Sequence, residues 1–445
     1  MSLIVQKFGG TSVADTQKIL AAARKAIRAQ QEGHQVVMVV SAMGKNTDLL
    51  VGLAGEISDR PSAREMDMLL STGEQVSVAL MAMAIQSLGS AAVSLTGGQI
   101  GIRTDSIHTK ARIKSISTKR MEEVLNAGKI VIAAGFQGVD DDLNITTLGR
   151  GGSDTTAVAL AAVLQADACE IYTDVDGVYT TDPRILPEAR RVSQISYDEM
   201  LELASLGAGV MHSRSIEFAK KFNVPIHVRS SFSDIPGTMI VSEPESRSMA
   251  VSGAAMTRNE ARVTISAVPD VPGTSFEIFD RIAKRNITVD MIVQNVGSEG
   301  KANISFTVPK DELTTTLEAV EDAKESLGAL QVSSDDQVAK VSVVGLGMAR
   351  QTGVADKMFQ ALAEAGINIQ MITTSEIKIS VLVARDQALE ALRTVHKVFN
   401  LHEAPGDAQS LPPRPVVSAP SDATAIVSRL ADVDMEELTL DDIML

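Results

Sequence analysis

The sequence predicts an α/β fold in which a parallel-rich sheet lies between helices, followed by two small ferredoxin-like modules. Two observations predict it. In the first half of the chain, short apolar runs rich in β-branched residues alternate with helical segments, which is typical of a sheet with helices on both faces. The second half contains an internal repeat of about seventy residues, and a repeat of that length indicates a pair of similar modules.

The alternation accounts for each element of the first half in turn. Strands are predicted over 3–5, 35–41, 91–95, 129–134, 170–173 and 226–229, and helices over 16–31, 65–88, 118–127, 155–165 and most of 197–222. The run QVVMVVS at 35–41 is apolar throughout, as expected for a strand that is buried on both faces of a parallel sheet. We place this domain at 1–245, where the polar segment SEPESRS is interpreted as a linker.

The repeat divides the second half into modules at 262–335 and 339–402. Its helix-to-strand joints align directly, with RNITVDMI at 285–292 against AGINIQMI at 365–372. Each copy is interpreted as β-α-β-β-α-β, the ferredoxin-like arrangement. The remaining segment, 403–445, is an acidic, proline-rich tail that we expect to be disordered. Its last part alternates acidic and apolar residues, which leaves two interpretations, a solvated tail and a partner-binding segment.

Composition excludes several classes of protein. The formal net charge is −15 and aromatic residues make up 3%, which argues against nucleic acid or a membrane surface as the partner. The single cysteine, Cys169, excludes an intramolecular disulfide framework. The N-terminus lacks a secretory signal pattern, and no apolar run approaches the ~18 residues of a membrane span. We therefore expect a cytoplasmic protein.

The first motif that carries chemistry is KFGGTS at 7–12, directly after the first strand. Gly9 and Gly10 allow a ligand to approach the backbone closely, and their N–H groups can bind an anion. Lys7 adds a positive charge. The spacing is not that of a Walker A loop, and a glycine turn before a helix is more often a simple connection.

The second motif is GRGGSDTT at 149–156, again before a helix. Arg150 can bind a carboxylate through two hydrogen bonds, and the glycines expose backbone donors. Asp154 would by default cap the helix. Capping explains neither Arg150 nor the glycines, so we favour a binding function.

Three further segments complete the set. YTDVDGVYTTDPR at 172–184 follows a strand at the sheet edge where ligands bind in such folds, and its many polar groups suit nucleotide recognition. STGE at 71–74 places Glu74 at a predicted helix start, where the helix dipole alone would favour an acid. SAMGKNT at 41–47 follows the second strand, beside the first motif.

Together these segments resemble the aspartokinases, enzymes that phosphorylate the side-chain carboxylate of L-aspartate with ATP. The resemblance covers residues 1 to about 402 and includes the two repeats, which are similar to ACT modules that bind effector amino acids. It implies a monofunctional kinase using ATP with Mg²⁺, in the pathway to lysine, threonine and methionine. No metal ligand is implied among the protein side chains.

The resemblance also implies site residues. Lys7 and Asp154 are the expected catalytic pair. The residues implied around the nucleotide are Lys7, Phe8, Gly9, Gly10, Ser41, Thr173, Asp174, Tyr179 and Arg184. Those implied around aspartate are Thr47, Glu74, Arg150, Gly151, Gly152 and Ser153. Because the attacking group is already an anion, catalysis requires alignment and charge neutralisation rather than a general base.

In the ACT-like modules the resemblance implies an effector site for lysine, threonine or both. Its implied residues are Asp270, Thr274, Ser275, Asp290 and Gln294 in the first module, and Val354, Ala355, Asn368, Ile369, Ser375 and Glu376 in the second. Departures from the family pattern at 350–354 and at Thr288 leave the effector's identity open, and a pure dimerisation scaffold is the alternative. We expect a homo-oligomer through these modules.

Other interpretations stay open at this stage. One interpretation is a separate small regulatory chain that starts at Met249 or Met256; the alternative is an ordinary methionine in a linker. The same fold also serves glutamate, carbamate and uridylate kinases, against which the STGE segment and the paired repeats argue. A non-enzymatic amino acid sensor is the second alternative; the intact Lys7, Glu74, Arg150 and Asp154 argue against it.

Overall fold

The computed structural model describes residues 2–207, 210–244, 250–297, 300–327 and 331–404. Most of the predicted linker, Met249 and nearly all of the acidic tail lie outside these residues.

The described residues form three sheets. Their strands, in chain order, are β1 Leu3–Phe8, β2 Gln35–Val40, β3 Ala92–Leu95, β4 Ile102–Thr104, β5 Ile113–Ile116, β6 Ile130–Ala134, β7 Gln137–Val139, β8 Ile145–Thr147, β9 Ala168–Thr173, β10 Gln194–Ser196, β11 Ile226–Ser230, β12 Thr238–Val241, β13 Gly253–Pro269, β14 Ile292–Val296, β15 Lys301–Val308, β16 Gln331–Val344, β17 Met371–Thr374 and β18 Lys378–Ala384.

The helices pack on the two larger sheets. They are α1 Thr16–Gln31, α2 Asn46–Ile57, α3 Ala63–Ser87, α4 Lys119–Asn126, α5 Gly152–Val163, α6 Tyr197–Ser205, α7 Ser213–Phe222, α8 Thr274–Ala283, α9 Leu313–Leu327, α10 Val354–Glu364 and α11 Ala388–Val398. Short 3₁₀ turns occupy Gly10–Val13, Lys310–Glu312, Leu346–Arg350 and Arg385–Gln387.

The large sheet confirms the predicted α/β architecture. Its strand order is β10-β12-β11-β9-β1-β2-β6-β3, and every pairing is parallel except that of β11 with β12. One core, which includes α5, α6 and α7, covers one face, and a second core with α1 and α3 covers the other. The carboxyl ends of β1, β2 and β9 therefore lie side by side.

Several elements of this domain differ from the prediction. The stretch 197–222 is two helices, because α6 ends near Gly207, whose φ of +96° breaks the helix. Helix α2 and the small sheet β5-β4-β7-β8 were not predicted. The strands of this small sheet have only three or four residues each, too few for an alternating pattern to stand out in the sequence.

Helix α3 departs from the expectation that no segment approaches the length of a membrane span. It has 25 residues and is apolar enough, by length and composition, to cross a bilayer. Half of its most apolar window is buried inside the protein, and its buried residues include Asp67 and Glu74. Packing against α1, α2 and the large sheet explains the apolar composition as that of a core helix.

The second half forms one continuous sheet with the order β14-β15-β13-β16-β18-β17. Strand β13 is long enough to serve both repeats. Its final part pairs with β15, and its first part, from Gly253 to Thr257, pairs with the end of β16. The second repeat thus takes a strand from the chain that precedes the first, whereas the sequence was interpreted as two copies in succession. The proposed domain limits stay predictions.

Candidate active site

Three of the sequence motifs meet at the carboxyl edge of the large sheet. In the parallel register, Phe8 of β1 lies opposite Val40 of β2 and Tyr172 of β9. The Gly9 N–H donates to the Tyr172 carbonyl at 3.3 Å, and the Gly44 N–H donates to the Gly10 carbonyl at 3.0 Å. These bonds join the 7–12, 41–47 and 172–184 segments into one surface.

Gly10 is required by the close approach of two loops. A Cβ atom at this position would lie 2.8 Å from the Ala42 carbonyl oxygen and 3.1 Å from that of Gly44. Phe8, by contrast, has a fully buried side chain that stacks on the Tyr172 ring at 4.6 Å between centroids. Any ligand contact of Phe8 is therefore limited to its backbone.

Lys7 and Asp154 form an ion pair beside the glycine turn. The distance from Lys7 Nζ to Asp154 Oδ1 is 2.5 Å, and both side chains are largely shielded from solvent. Asp154 is the third residue of α5, and its carboxylate does not cap the helix. The ammonium also lies close to the turn, since a Cβ at Gly9 would be 3.5 Å from Nζ. The ion pair places one positive charge, held by one carboxylate, next to the backbone of the Gly9–Gly10 turn.

The start of α5 presents Arg150 to solvent. Gly151 adopts a left-handed conformation with φ +70°, and a side chain there would collide with His212, the capping residue of α7. Ser153 is buried against Gly135. Arg150 is exposed, and among the described residues no hydrogen bond or ion pair engages its guanidinium. It is therefore available to a ligand.

Glu74 is a buried carboxyl group in the middle of α3, not at a helix start as predicted. The residue is 4% exposed, and its Oε1 accepts a hydrogen bond from the Ala42 N–H at 3.1 Å. Its Oε2 has no hydrogen-bond partner among the described residues. Burial raises the pKa of Glu74 to about 7, although the Ala42 N–H opposes the shift. An unpartnered buried acceptor beside the 41–47 loop suits a cationic ligand group.

Ser41 and Thr47 lie on either side of Ala42, whose N–H donates to this carboxyl group. Ser41 follows β2, and its N–H donates to the Phe8 carbonyl at 3.1 Å. Thr47 is the second residue of α2 and is partly exposed. Both thus lie on the loop that contacts the Gly10 and Glu74 positions.

Several polar side chains of the 172–184 loop bind one another. The Thr173 hydroxyl donates to Asp174 at 3.1 Å, and the Tyr179 hydroxyl donates to Asp176 at 2.9 Å. Arg184 pairs with Asp182 at 2.8 Å and is highly exposed. The loop therefore offers Asp174, Tyr179 and Arg184 at an accessible surface without committing them to the core.

Sequence reasoning missed a supporting residue, Asp67. It is fully buried in α3 and accepts hydrogen bonds from the His108 ring at 2.7 Å, the Thr147 hydroxyl at 2.5 Å and the Thr109 N–H at 3.1 Å. These bonds hold the loop that packs against Gly149, the residue before Arg150. The sequence feature that could have indicated Asp67 is a carboxylate within an otherwise apolar helix.

The predicted effector residues fall into two groups. In the second module, Val354, Ala355, Ser375 and Glu376 line a cavity of about 450 Å³, together with Gln351 and apolar side chains; Asn368 and Ile369 are not part of its lining. In the first module, the Ser275 hydroxyl donates to Gln294 at 2.8 Å, and the Thr274 hydroxyl donates to the Pro269 carbonyl at 2.8 Å. Asp270 is exposed. Asp290 forms an ion pair with Lys340 of β16.

The chain matches two family models. The model of the amino acid kinase family matches residues 2–230, and an ACT domain model matches residues 263–323 and 341–399. An aspartokinase from Pseudomonas aeruginosa is 51% identical over 404 residues, which cover 90% of this chain and 98% of that one.

Two crystal structures of aspartokinase III from E. coli resemble the fold, both at 26% identity. For the complex with aspartate and ADP the TM-score is 0.70, and the match covers 99% of that chain and 89% of this one. For the complex with lysine and aspartate the TM-score is 0.74, and the match covers 100% of that chain and 90% of this one. The order of the motifs, the fold and these likenesses agree, and the chain therefore belongs to the aspartokinase family and is a phosphotransferase.

Proposed function

We propose that this chain transfers the γ-phosphoryl group of ATP to the side-chain carboxylate of L-aspartate, forming 4-phospho-L-aspartate. The observation that carries the proposal is the Lys7–Asp154 ion pair beside the Gly9–Gly10 turn. It supplies a fixed positive charge and backbone donors at one sheet edge, which are the groups that phosphoryl transfer needs.

The nucleotide would bind over the carboxyl ends of β1 and β9. Lys7, Gly9, Gly10 and the Phe8 backbone would contact its phosphates, while Ser41, Thr173, Asp174, Tyr179 and Arg184 would surround the rest. Mg²⁺ would arrive on the phosphates, and the exposed carboxylate of Asp174 is a hard oxygen ligand of the kind that this ion accepts. The ion supplies charge neutralisation when bound.

Aspartate would bind between α3 and the start of α5. The free guanidinium of Arg150 would hold its α-carboxylate through two hydrogen bonds. The unpartnered Oε2 of Glu74 would accept from its ammonium group, and Thr47, Gly151, Gly152 and Ser153 would complete the contacts. These opposite charges would leave the side-chain carboxylate directed at the phosphate.

The reaction needs no proton transfer. A side-chain oxygen of aspartate attacks the γ-phosphorus, a new O–P bond forms, and the bond from that phosphorus to the β,γ-bridging oxygen breaks. Lys7 would neutralise charge on the transferred group and the leaving oxygen. Asp154 would orient Lys7, because a lysine side chain has many rotamers unless a partner holds it.

The decisive experiment is an ADP-release assay with ATP and Mg²⁺, run with aspartate and with glutamate, carbamate and uridylate in its place. We expect release that depends on aspartate alone. Release with another acceptor only would assign a different amino acid kinase activity. No release with any acceptor would favour an amino acid sensor.

We further propose feedback regulation by lysine, threonine or both, as expected for the first step towards lysine, threonine and methionine. The cavity at the start of α10 supports this proposal, since it pairs a carboxylate, Glu376, with the N-terminal end of an 11-residue helix. The same assay, repeated with lysine, with threonine and with both, tests it. Unchanged rates in all three would leave the modules as a scaffold.

We also propose a homo-oligomer through the first ACT-like module. Val271, Phe276, Ile292 and Val296 are apolar and are each at least half exposed, and β14 is an edge strand. Phe276→Asp with Val296→Lys is expected to lower the mass measured by light scattering. An unchanged mass would place the interface elsewhere.

A separate regulatory chain and a cytoplasmic location remain proposals as well. If an internal start is used, Met249 suits it better than Met256, because a start at Met256 would remove Gly253–Ala255 from the second repeat's sheet. An immunoblot of a C-terminally tagged gene product, with each methionine codon replaced in turn, would show which start is used. One full-length band throughout would exclude both.

A further inference from the structure

Thr180 in the 172–184 loop is one of the residues through which the catalytic domain contacts the second ACT-like module. The residue is fully buried. Within its own domain, its N–H donates to the Arg190 carbonyl at 2.8 Å, and its hydroxyl oxygen accepts from the Arg190 N–H at 3.0 Å. The other hydrogen bonds that Thr180 forms with described residues come from the regulatory half.

Two groups of the regulatory half bind Thr180. Its carbonyl oxygen accepts a hydrogen bond from the Ala254 N–H of β13 at 2.7 Å. Its hydroxyl is 2.9 Å from Nε2 of His396 on α11. His396 is 2% exposed, and burial lowers its pKa to about 4, with help from the nearby His402. The imidazole is therefore neutral near pH 7, and its hydrogen bond does not depend on titration there.

The position of α11 is coupled to the regulatory cavity through packing. Val354 at the start of α10 lines the cavity and also belongs to the core of the second module. Leu392 and Val395 of α11, four and one residues before His396, lie in the same core, and α10 packs against α11. Because close-packed cores transmit displacement, a shift at the cavity would reach His396.

We propose that His396 is a positioning residue for the ATP site, which transmits the state of the second module's cavity through Thr180 to Tyr179. The inference rests on the proposed function in taking Tyr179 as a nucleotide contact. Tyr179 precedes Thr180 directly, and it forms an isolated β-bridge with Arg191. A change in the His396–Thr180 contact would therefore move the accessible side of the loop while the fold of each domain stays intact.

The test compares two variants of His396 in the full-length chain. His396→Leu keeps bulk and removes the hydrogen bond, whereas His396→Gln can still reach Thr180 with its side-chain amide. His402→Gln is the matched control, because His402 lies beside His396 without a hydrogen bond to Thr180 among the described residues. Binding of ATP with Mg²⁺ is measured by calorimetry, and KM is measured separately for ATP and for aspartate.

We expect His396→Leu to weaken ATP binding about fivefold, the effect of losing one ordinary hydrogen bond, with the KM for aspartate unchanged. The affinity of His396→Gln and of His402→Gln for ATP should stay within about twofold of the wild-type value. ATP affinity that is unchanged in His396→Leu would overturn the inference. An equal loss in the Leu and Gln variants, or a parallel rise in both KM values, would indicate a merely structural role and would also overturn it.

The two proposals fail in different ways. If the wild-type chain binds ATP and His396→Leu weakens that binding, but no acceptor is phosphorylated, the proposed function is wrong and the coupling stands. If aspartate is phosphorylated normally and His396→Leu leaves the affinity for ATP unchanged, only the proposed coupling is wrong. A wild-type chain that binds no ATP would contradict both.

Discussion

Lys7 and Asp154 illustrate why a partly buried charge in this site needs a partner. Each side chain is only about one-eighth exposed, so each loses much of its hydration and is stabilised by the other. The same pairing fixes the lysine rotamer before a ligand binds. Arg150 differs, because it is exposed and unpaired among the described residues, and hydration stabilises it until a carboxylate arrives.

Lys7→Ala and Arg150→Ala are each expected to abolish turnover, with losses of about 100-fold or more. The first variant would remove the positive charge proposed to neutralise the transferred group, and the second would remove the guanidinium proposed to hold aspartate. Steady-state ADP release measures the loss, and circular dichroism checks that the fold remains. Lys114→Ala is the control, since Lys114 forms only an exposed pair with Asp141. Near-normal activity in either site variant would refute the assignment.

If Glu74 binds the ammonium group of aspartate, as proposed, aspartate binding should depend on pH. The pKa of Glu74 is raised to about 7 by burial, so the carboxyl group is increasingly protonated below that value, and a protonated group cannot attract an ammonium ion. We expect kcat/KM for aspartate to fall as the pH drops from 8 to 6. In Glu74→Gln, this fall in kcat/KM with pH should disappear, and the KM for aspartate should rise about tenfold or more. An unchanged pH profile in this variant would exclude Glu74.

The same residue should leave a signature in stability. A raised pKa in the folded state means that the folded chain holds this proton more tightly than the unfolded chain. Its contribution to stability is therefore full below about pH 4.5 and is lost as the pH rises through about 7. Glu74→Gln should raise the melting temperature at pH 8 more than at pH 5. An equal shift at both values would contradict the burial argument.

At the scale of elements, the glycine turn after β1 depends on the loop after β2. The carbonyls of Ala42 and Gly44 approach Gly10 so closely that no side chain fits. Parallel pairing of β1 with β2 brings the two turns together, and the Gly44 N–H bond to Gly10 holds them there. The surface proposed to bind phosphate is thus formed by the ends of two strands.

Gly10→Ala is expected to displace these loops and to lower kcat/KM for ATP by at least tenfold, because backbone atoms rather than flexible side chains would have to move. Gly55→Ala in α2 is the matched control. A Cβ there meets nothing within 4 Å, and alanine should favour the helix by about 0.5–1 kcal/mol. Steady-state kinetics and thermal melting measure both variants. Unaltered kinetics in Gly10→Ala would show that the turn does not bind phosphate.

At the scale of the whole molecule, a charge cluster centred on the buried Lys340 joins the two ACT-like modules. Lys340 on β16 is 6% exposed and contacts Glu260 Oε1 at 2.8 Å, as well as Asp290. Burial raises the pKa of Glu260 even though Lys340 opposes the shift. Asp290, which the sequence suggested as an effector ligand, is thus committed to a contact between modules in this structure.

Lys340→Met should therefore destabilise the chain by about 3 kcal/mol, because it leaves Glu260 buried without its cation. Adding Glu260→Gln should recover part of the loss. Denaturant unfolding followed by fluorescence or circular dichroism measures both changes. A double variant less stable than Lys340→Met alone would show that the charge of Glu260 is not the cause.

The sequence by itself determined the class of the fold, the main strands and helices, and the motifs. Helix α1 lies where it was predicted, at Thr16–Gln31, and strand β2 ends within one residue of its prediction. These features are local. Apolar periodicity reports the burial of one segment, and glycines after a strand report a turn, so neither needs knowledge of distant residues.

Tertiary structure alone decided what depends on contacts far apart in the chain. It placed Glu74 against Ala42, paired Asp290 with Lys340, and gave the first part of β13 to the second repeat. It also set Thr180 against His396, 216 residues away. No local pattern encodes such pairings, because the free energy that selects them arises only when separate elements pack together and lose water.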